Sequence, residues 1–120
     1  MKRAEHLLEQ MPELAQVPAH VESLELCAFD LGQDIATVNE QISLREEAAC
    51  ELAQAESNDA KRRAKRRELL RDDATHARLQ VEKIDLERLH TRVVCRAARL
   101  RREYRASLLE VEMRQLGRRS

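Results

Sequence analysis

From Leu24 the apolar positions advance in alternating steps of four and three: Leu24, Ala28, Leu31, Ile35, Val38, Ile42 and then, past Arg45, Ala49 and Leu52. A heptad register held for about four repeats predicts a long helix from about Ala19 to residue 56, with one face given to a partner helix. A second run, Leu79, Leu86, Leu89, Val93, Ala97, Leu100, Tyr104, Leu108 and Val111, predicts a longer helix over 76–116 that Gly117 ends. At 1.5 Å per residue the two helices measure about 50 and about 60 Å, a match for antiparallel packing. The predicted seam rests on Leu24, Leu31, Ile35, Val38, Ile42 and Leu52 of the first helix and on Leu86, Leu89, Val93, Leu100 and Tyr104 of the second. Leu44, Ala48, Ile84, Leu109 and Leu116 lie off it. Apolar strips beside a two-helix seam mark association, so a dimer or larger symmetric assembly is expected. Gly32, costly inside a helix, marks an expected kink or close helix approach.

Ahead of the long helix, Pro12 and Pro18 punctuate residues 1–22. Proline favours a helix start and disfavours a helix middle. The segment therefore reads as a short helix over Lys2–Gln10, a turn or two over Pro12–Gln16 and a bend near Val17. Leu7, Leu8, Met11, Leu14 and Val17 supply one apolar face, which must dock on the main helices or on a second subunit.

Between the two long helices the pattern breaks. Ser57, Asn58 and Asp59 are three consecutive N-cap residues, so a helix should restart near Ala60. Its positions Lys61, Arg62, Arg63, Lys65, Arg66 and Arg67 place six positive charges within seven residues, too many for one face to hide. This piece must stand in water or against an anionic partner. Asp72, Asp73 and Thr75 then offer caps for the last helix. The chain divides accordingly into short N-terminal helices (1–22), an acidic long helix (23–56), a basic bend (57–75) and a basic long helix (76–117).

Charge sharpens this division. The formal net charge of zero is a cancellation: residues 1–56 carry three basic and twelve acidic groups, net −9, whereas 57–120 carry nineteen and ten, net +9. Opposite flanks of this kind favour antiparallel pairing of the two halves. Along the last helix Arg88, Arg92, Arg96, Arg99, Arg102 and Arg105 recur at steps of three and four, a basic stripe apart from the apolar one.

Composition excludes a compact enzyme core. Phe29 and Tyr104 are the only aromatics, and Gly and Pro together number four in 120 residues, against 37% charged residues. The four histidines are scattered, no Glu-x-x-His pair occurs, and two glycines cannot build a phosphate loop. No catalytic residue, metal site or cofactor is expected. Cys27, Cys50 and Cys95 are widely spaced and odd in number, which suits helix-face thiols in a reducing cytoplasm. Without an apolar leader or a membrane-length run, a soluble cytoplasmic protein with no membrane partner is expected.

Two clusters carry the candidate chemistry. Lys61, Arg62, Arg63, Lys65, Arg66 and Arg67, with Arg88, Arg92, Arg96 and Arg99, are spaced to touch phosphates without reading sequence. The scarcity of aromatics argues against stacking on single strands.

The run Ser57-Asn58-Asp59-Ala60-Lys61-Arg62-Arg63 leads into Glu68-Leu69-Leu70 and an acidic break, then into a Leu- and Arg-rich helix containing Arg96-Ala97-Ala98-Arg99-Leu100. It resembles small helical-hairpin proteins encoded by phages and integrated mobile elements, often among recombination genes. The resemblance covers roughly 30–112. Those proteins tend to carry a break with Pro and Tyr where this chain has Asp73-Ala74-Thr75-His76. The resemblance implies a non-enzymatic accessory to DNA metabolism and transfers no site residue.

The expectation is therefore an all-α antiparallel helical hairpin with short N-terminal helices docked on it. It would act as an interaction module through itself, another protein and, non-specifically, nucleic acid. An escort of the secretion-apparatus kind, or a purely structural coiled-coil subunit, shares this build and is the alternative.

Overall fold

A computed structural model describes residues 1–119, with all their side chains but that of Arg119. Those residues are all-helical: α1 (Lys2–Glu9), a 3₁₀ turn (Leu14–Gln16), α2 (Val17–Ala53), α3 (Asp59–Arg71) and α4 (Ala74–Arg119). The predicted helix content follows from the chemistry that signals it. Pro18 falls in the first turn of α2, where its missing N–H costs nothing. The close approach expected at Gly32 and the helix end expected at Gly117 are both absent. Gly32 sits inside an uninterrupted α2, and a Cβ placed there would meet nothing within 4 Å, so it marks no close approach. Gly117 does not end α4, which continues to Arg119, because neither glycine adopts the positive φ that a C-terminal cap uses.

The chain forms two compact units. The first joins Met1–Leu31 with the chain from Leu89 onward. Its core is built from Ala4 and Leu7 of α1, from Val17, Val21, Leu24, Cys27 and Leu31 of α2, and from Leu89, Val93, Ala97 and Leu100 of α4. Leu24 and Val93 are each 0% exposed. His20 is buried with them, and its Nε2 lies 3.1 Å from the Leu7 carbonyl. A carbonyl only accepts, so the ring donates there and closes the last turn of α1. Arg96 of α4 donates to the Gln10 carbonyl at 3.4 Å, just after that turn. Within this unit the N-terminal segment thus buries Ala4 and Leu7 and makes polar contacts at its end, while Met11 and Leu14 stay exposed.

The second unit is Gly32–Arg88. Val38, Ile42, Ala49 and Ala53 of α2 and Leu79 and Leu86 of α4 are its buried apolar residues. Ile35 is half-buried. The expected seam needs one correction here: Leu52 is 66% exposed and Ala53 takes the inward position. Past Ala49 the inward step lengthens from three residues to four, so the strict heptad runs out one turn before α2 ends. α3 follows with no buried residue, and Leu69 and Leu70 are only half-buried.

Candidate nucleic-acid interface

α3 starts where its capping chemistry dictates. Asn58 adopts extended backbone geometry and its Oδ1 accepts the Lys61 N–H at 2.9 Å. That bond satisfies one of the free donors of the first turn, and Asp59 adds a negative charge at the positive end of the helix dipole. At the other end the Asp72 N–H donates to the Glu68 carbonyl and the Asp73 N–H to the Leu70 carbonyl, which closes the last turn. The helix carries seven basic and two acidic side chains, net +5.

Not all of these cations are equally available. Arg62 is half-buried: its Nε donates to the Glu56 carbonyl at 3.2 Å and its Nη1 to Asp59 at 3.3 Å. It staples the turn before α3 to the helix. Lys61, Arg63, Arg66 and Arg67 are exposed, Lys65 is half-exposed, and none of the five makes an ion pair among the described residues.

The α4 arginines divide in the same way. Arg88 in the second unit and Arg92 in the first are exposed and without ion pairs among the described residues. Arg96 is turned inward onto Gln10 and Met11, and its buried Nε has no acceptor among the described residues. Arg99 is held by Glu103 at 2.9 Å. The regular sequence spacing therefore does not make one uniform stripe, because Arg96 and Arg99 have structural partners within the first unit.

A third cluster joins Asp73, one of the expected caps, to partners that the sequence pattern does not predict. At the start of α4, Asp73 Oδ1 accepts the His76 N–H at 3.0 Å while both Asp73 oxygens accept from Arg45 Nη1 at 3.1 and 3.0 Å. His76 Nε2 lies 3.2 Å from Glu46 Oε1. The backbone N–H of His76, aided by Arg45, holds the Asp73 carboxyl below the usual carboxylate range. Arg45 is the lone base in the long acidic stretch between Arg3 and Lys61, and that isolation is the one signal in the sequence that singles it out. In the first unit burial pushes the Cys27 thiol up, so it is a poor thiolate. Cys50 and Cys95 are exposed.

Among the described residues no group of three or more His, Cys, Asp or Glu side chains is arranged to hold a metal ion. No helix among them is long and apolar enough to cross a membrane. Compared with known proteins, the chain matches no family model, no curated protein and no solved structure. The candidate interface is accordingly defined by its own geometry: a capped, solvent-facing helix on which five cations make no ion pair among the described residues.

Proposed function

We propose that this chain is a non-enzymatic interaction protein, an antiparallel hairpin of α2 and α4 that works as a homo-oligomer and offers α3 to an anionic partner. The partner chemistry that suits α3 best is the phosphate backbone of a nucleic acid, touched without sequence readout. The resemblance to helical-hairpin proteins of phages and mobile elements adds the setting, an accessory role in DNA metabolism. The observation that carries the reading is the absence of ion pairs, among the described residues, at Lys61, Arg63, Lys65, Arg66 and Arg67. Five neighbouring like charges repel one another, and an external polyanion relieves that repulsion while releasing its own counterions.

The hairpin reading is supported within each unit. In the second, α4 begins beside late α2 through Arg45–Asp73 and Glu46–His76. In the first, Glu25 of α2 meets Arg101 of α4.

A second reading is the escort or structural-subunit role. It is favoured by the last turns of α4, where Leu108, Leu109, Val111, Met113 and Leu116 are all exposed.

Fluorescence anisotropy with a labelled DNA duplex across a salt series separates the two. The parent should bind with an affinity that falls steeply with salt, and Arg63→Gln with Arg66→Gln and Arg67→Gln should flatten the log–log slope by about 0.9 for each phosphate no longer neutralised. No binding by the parent at about 50 mM salt, where such contacts are strong, would remove the nucleic-acid reading.

A further inference from the structure

The first unit exposes two apolar surfaces of opposite charge character. One is the outward face of α2, where Leu26 and Phe29 lie one turn apart and are 54% and 65% exposed. Around them stand Glu22, Glu25 and Asp30. Glu25 has Arg101 as its partner and Asp30 has Arg3 only at 3.9 Å, while Glu22 makes no ion pair among the described residues. The rim is acidic. The other surface is the last stretch of α4. Leu109, Met113 and Leu116 follow one another at i, i+4 and i+7, and are 59–71% exposed. Arg102 and Arg105 precede them on the same side of the helix and make no ion pair among the described residues. Arg102 and Arg105 make the near end of this rim basic, with Glu112 the acid beside Leu109 and Leu116.

A helical stretch of this length is marginal in water without a packed face, and its apolar side chains require a cover. The geometry points to a second copy of this chain as that cover: the α4 tail of each copy docks on the acidic-rimmed Leu26–Phe29 face of the other. This rests on the self-association proposed above and names its surfaces. Charge decides between the possible pairings, since tail against tail would set two basic rims together, whereas tail against α2 opposes basic to acidic. Spacing permits closure. Glu25 meets Arg101, and Met113 lies twelve residues further on, about 18 Å along the helix. A two-fold axis that passes beside α4, perpendicular to it and at the level of Ala106, would bring both tails onto both α2 faces at once, each α2 then lying between its own α4 and its partner's tail. The contact is isologous and closes as a dimer. Phe29 is the anchor, an aromatic side chain left 65% exposed in the single chain.

The test is sedimentation velocity or light scattering on Phe29→Asp, Leu109→Asp and an equimolar mixture of the two. All the altered side chains are exposed, so circular dichroism should keep the parent value apart from fraying of the undocked tail. Each variant alone carries both contacts broken and should associate at least about tenfold more weakly than the parent. In the mixture a heterodimer has one intact contact and one broken one, so association should return in part, tighter than either variant alone and weaker than the parent. Should either aspartate lower the helix signal, Glu22→Arg and Arg105→Glu replace them, again weak alone and associating when mixed. A parent that is monomeric at tens of micromolar overturns both this inference and the self-association on which it rests. A parent that dimerises while Phe29→Asp dimerises equally well, or a mixture that restores nothing, overturns the docking surfaces alone.

Discussion

One nitrogen of the Arg45 guanidinium bridges both carboxylate oxygens of Asp73, at 3.1 and 3.0 Å. The pair inverts the charge logic of the chain, because the one base of the acidic long helix meets an acid of the basic half. The same carboxylate caps α4 through the His76 N–H, so a single side chain ends the bend, starts the last helix and ties it to α2. An acid at this point uses the positive end of the α4 dipole as well as the arginine.

Asp73 makes stability depend on acid. Its carboxyl is held low in the folded chain, so its contribution is fully present above the ordinary carboxylate pKa and is lost as pH falls through the lower folded value. The melting temperature of the parent should therefore drop between about pH 5 and about pH 2, and that of Asp73→Asn should drop less over the same window. Arg45→Gln should shrink the dependence without abolishing it, because the His76 N–H is the larger cause. Identical pH profiles for parent and Asp73→Asn would refute the assignment.

The packed seam can be graded by position. Val93 is 0% exposed, so Val93→Asp buries an uncompensated charge at a cost of several kcal/mol against a total of about 5–15 kcal/mol, and helix content should collapse. Ile35→Asp, at a half-buried site, should lower the melting temperature without unfolding the chain. Leu52→Asp should stay within about 0.5 kcal/mol of the parent, as exposed substitutions do. Urea titrations followed by circular dichroism would order the three, and a Leu52→Asp as damaging as Val93→Asp would restore the longer heptad.

That gradient marks what periodicity can reveal. The four-three alternation locates Leu24, Leu31, Val38 and Ile42, because only a helix returns those positions to one side. It misplaces Leu52, since Ala49 and Ala53 are small and pack in a four-residue step that a heptad template passes over. The caps Asn58 and Asp73 are legible because short polar side chains ahead of a helix have one favoured use. The partners of Arg96 are not, since Gln10 and Met11 lie more than eighty residues away and spacing along one helix says nothing of them. The exposed Phe29 is hidden by the same limit, as an apolar residue does not announce whether its own chain covers it, whereas Leu109 and Leu116 show in the pattern as positions off the seam.

Gly32 supplies an independent check on α2. Alanine at this position would add a Cβ into open space and remove conformational freedom from the unfolded chain. Gly32→Ala should stabilise by about 0.5–1 kcal/mol in urea titrations, with helix content unchanged or slightly raised. A loss of stability would mean that a neighbour does approach there.

The cations of α3 should separate into one that builds and several that bind. Arg62 commits its guanidinium to the Glu56 carbonyl and Asp59, so Arg62→Gln leaves a half-buried carbonyl short of a donor, a cost of about 1–3 kcal/mol where it is not rewetted. Arg63→Gln touches no such partner, and glutamine keeps nearly the same helix propensity. In thermal melts Arg62→Gln should fall below the parent while Arg63→Gln, Arg66→Gln and Arg67→Gln overlay it. In duplex titrations the order should reverse, with the three exposed positions lowering the salt slope and Arg62 changing it least. If Arg62→Gln alone abolished binding while leaving the melt untouched, its contacts to Glu56 and Asp59 would be incidental and the anion would belong on that side of α3.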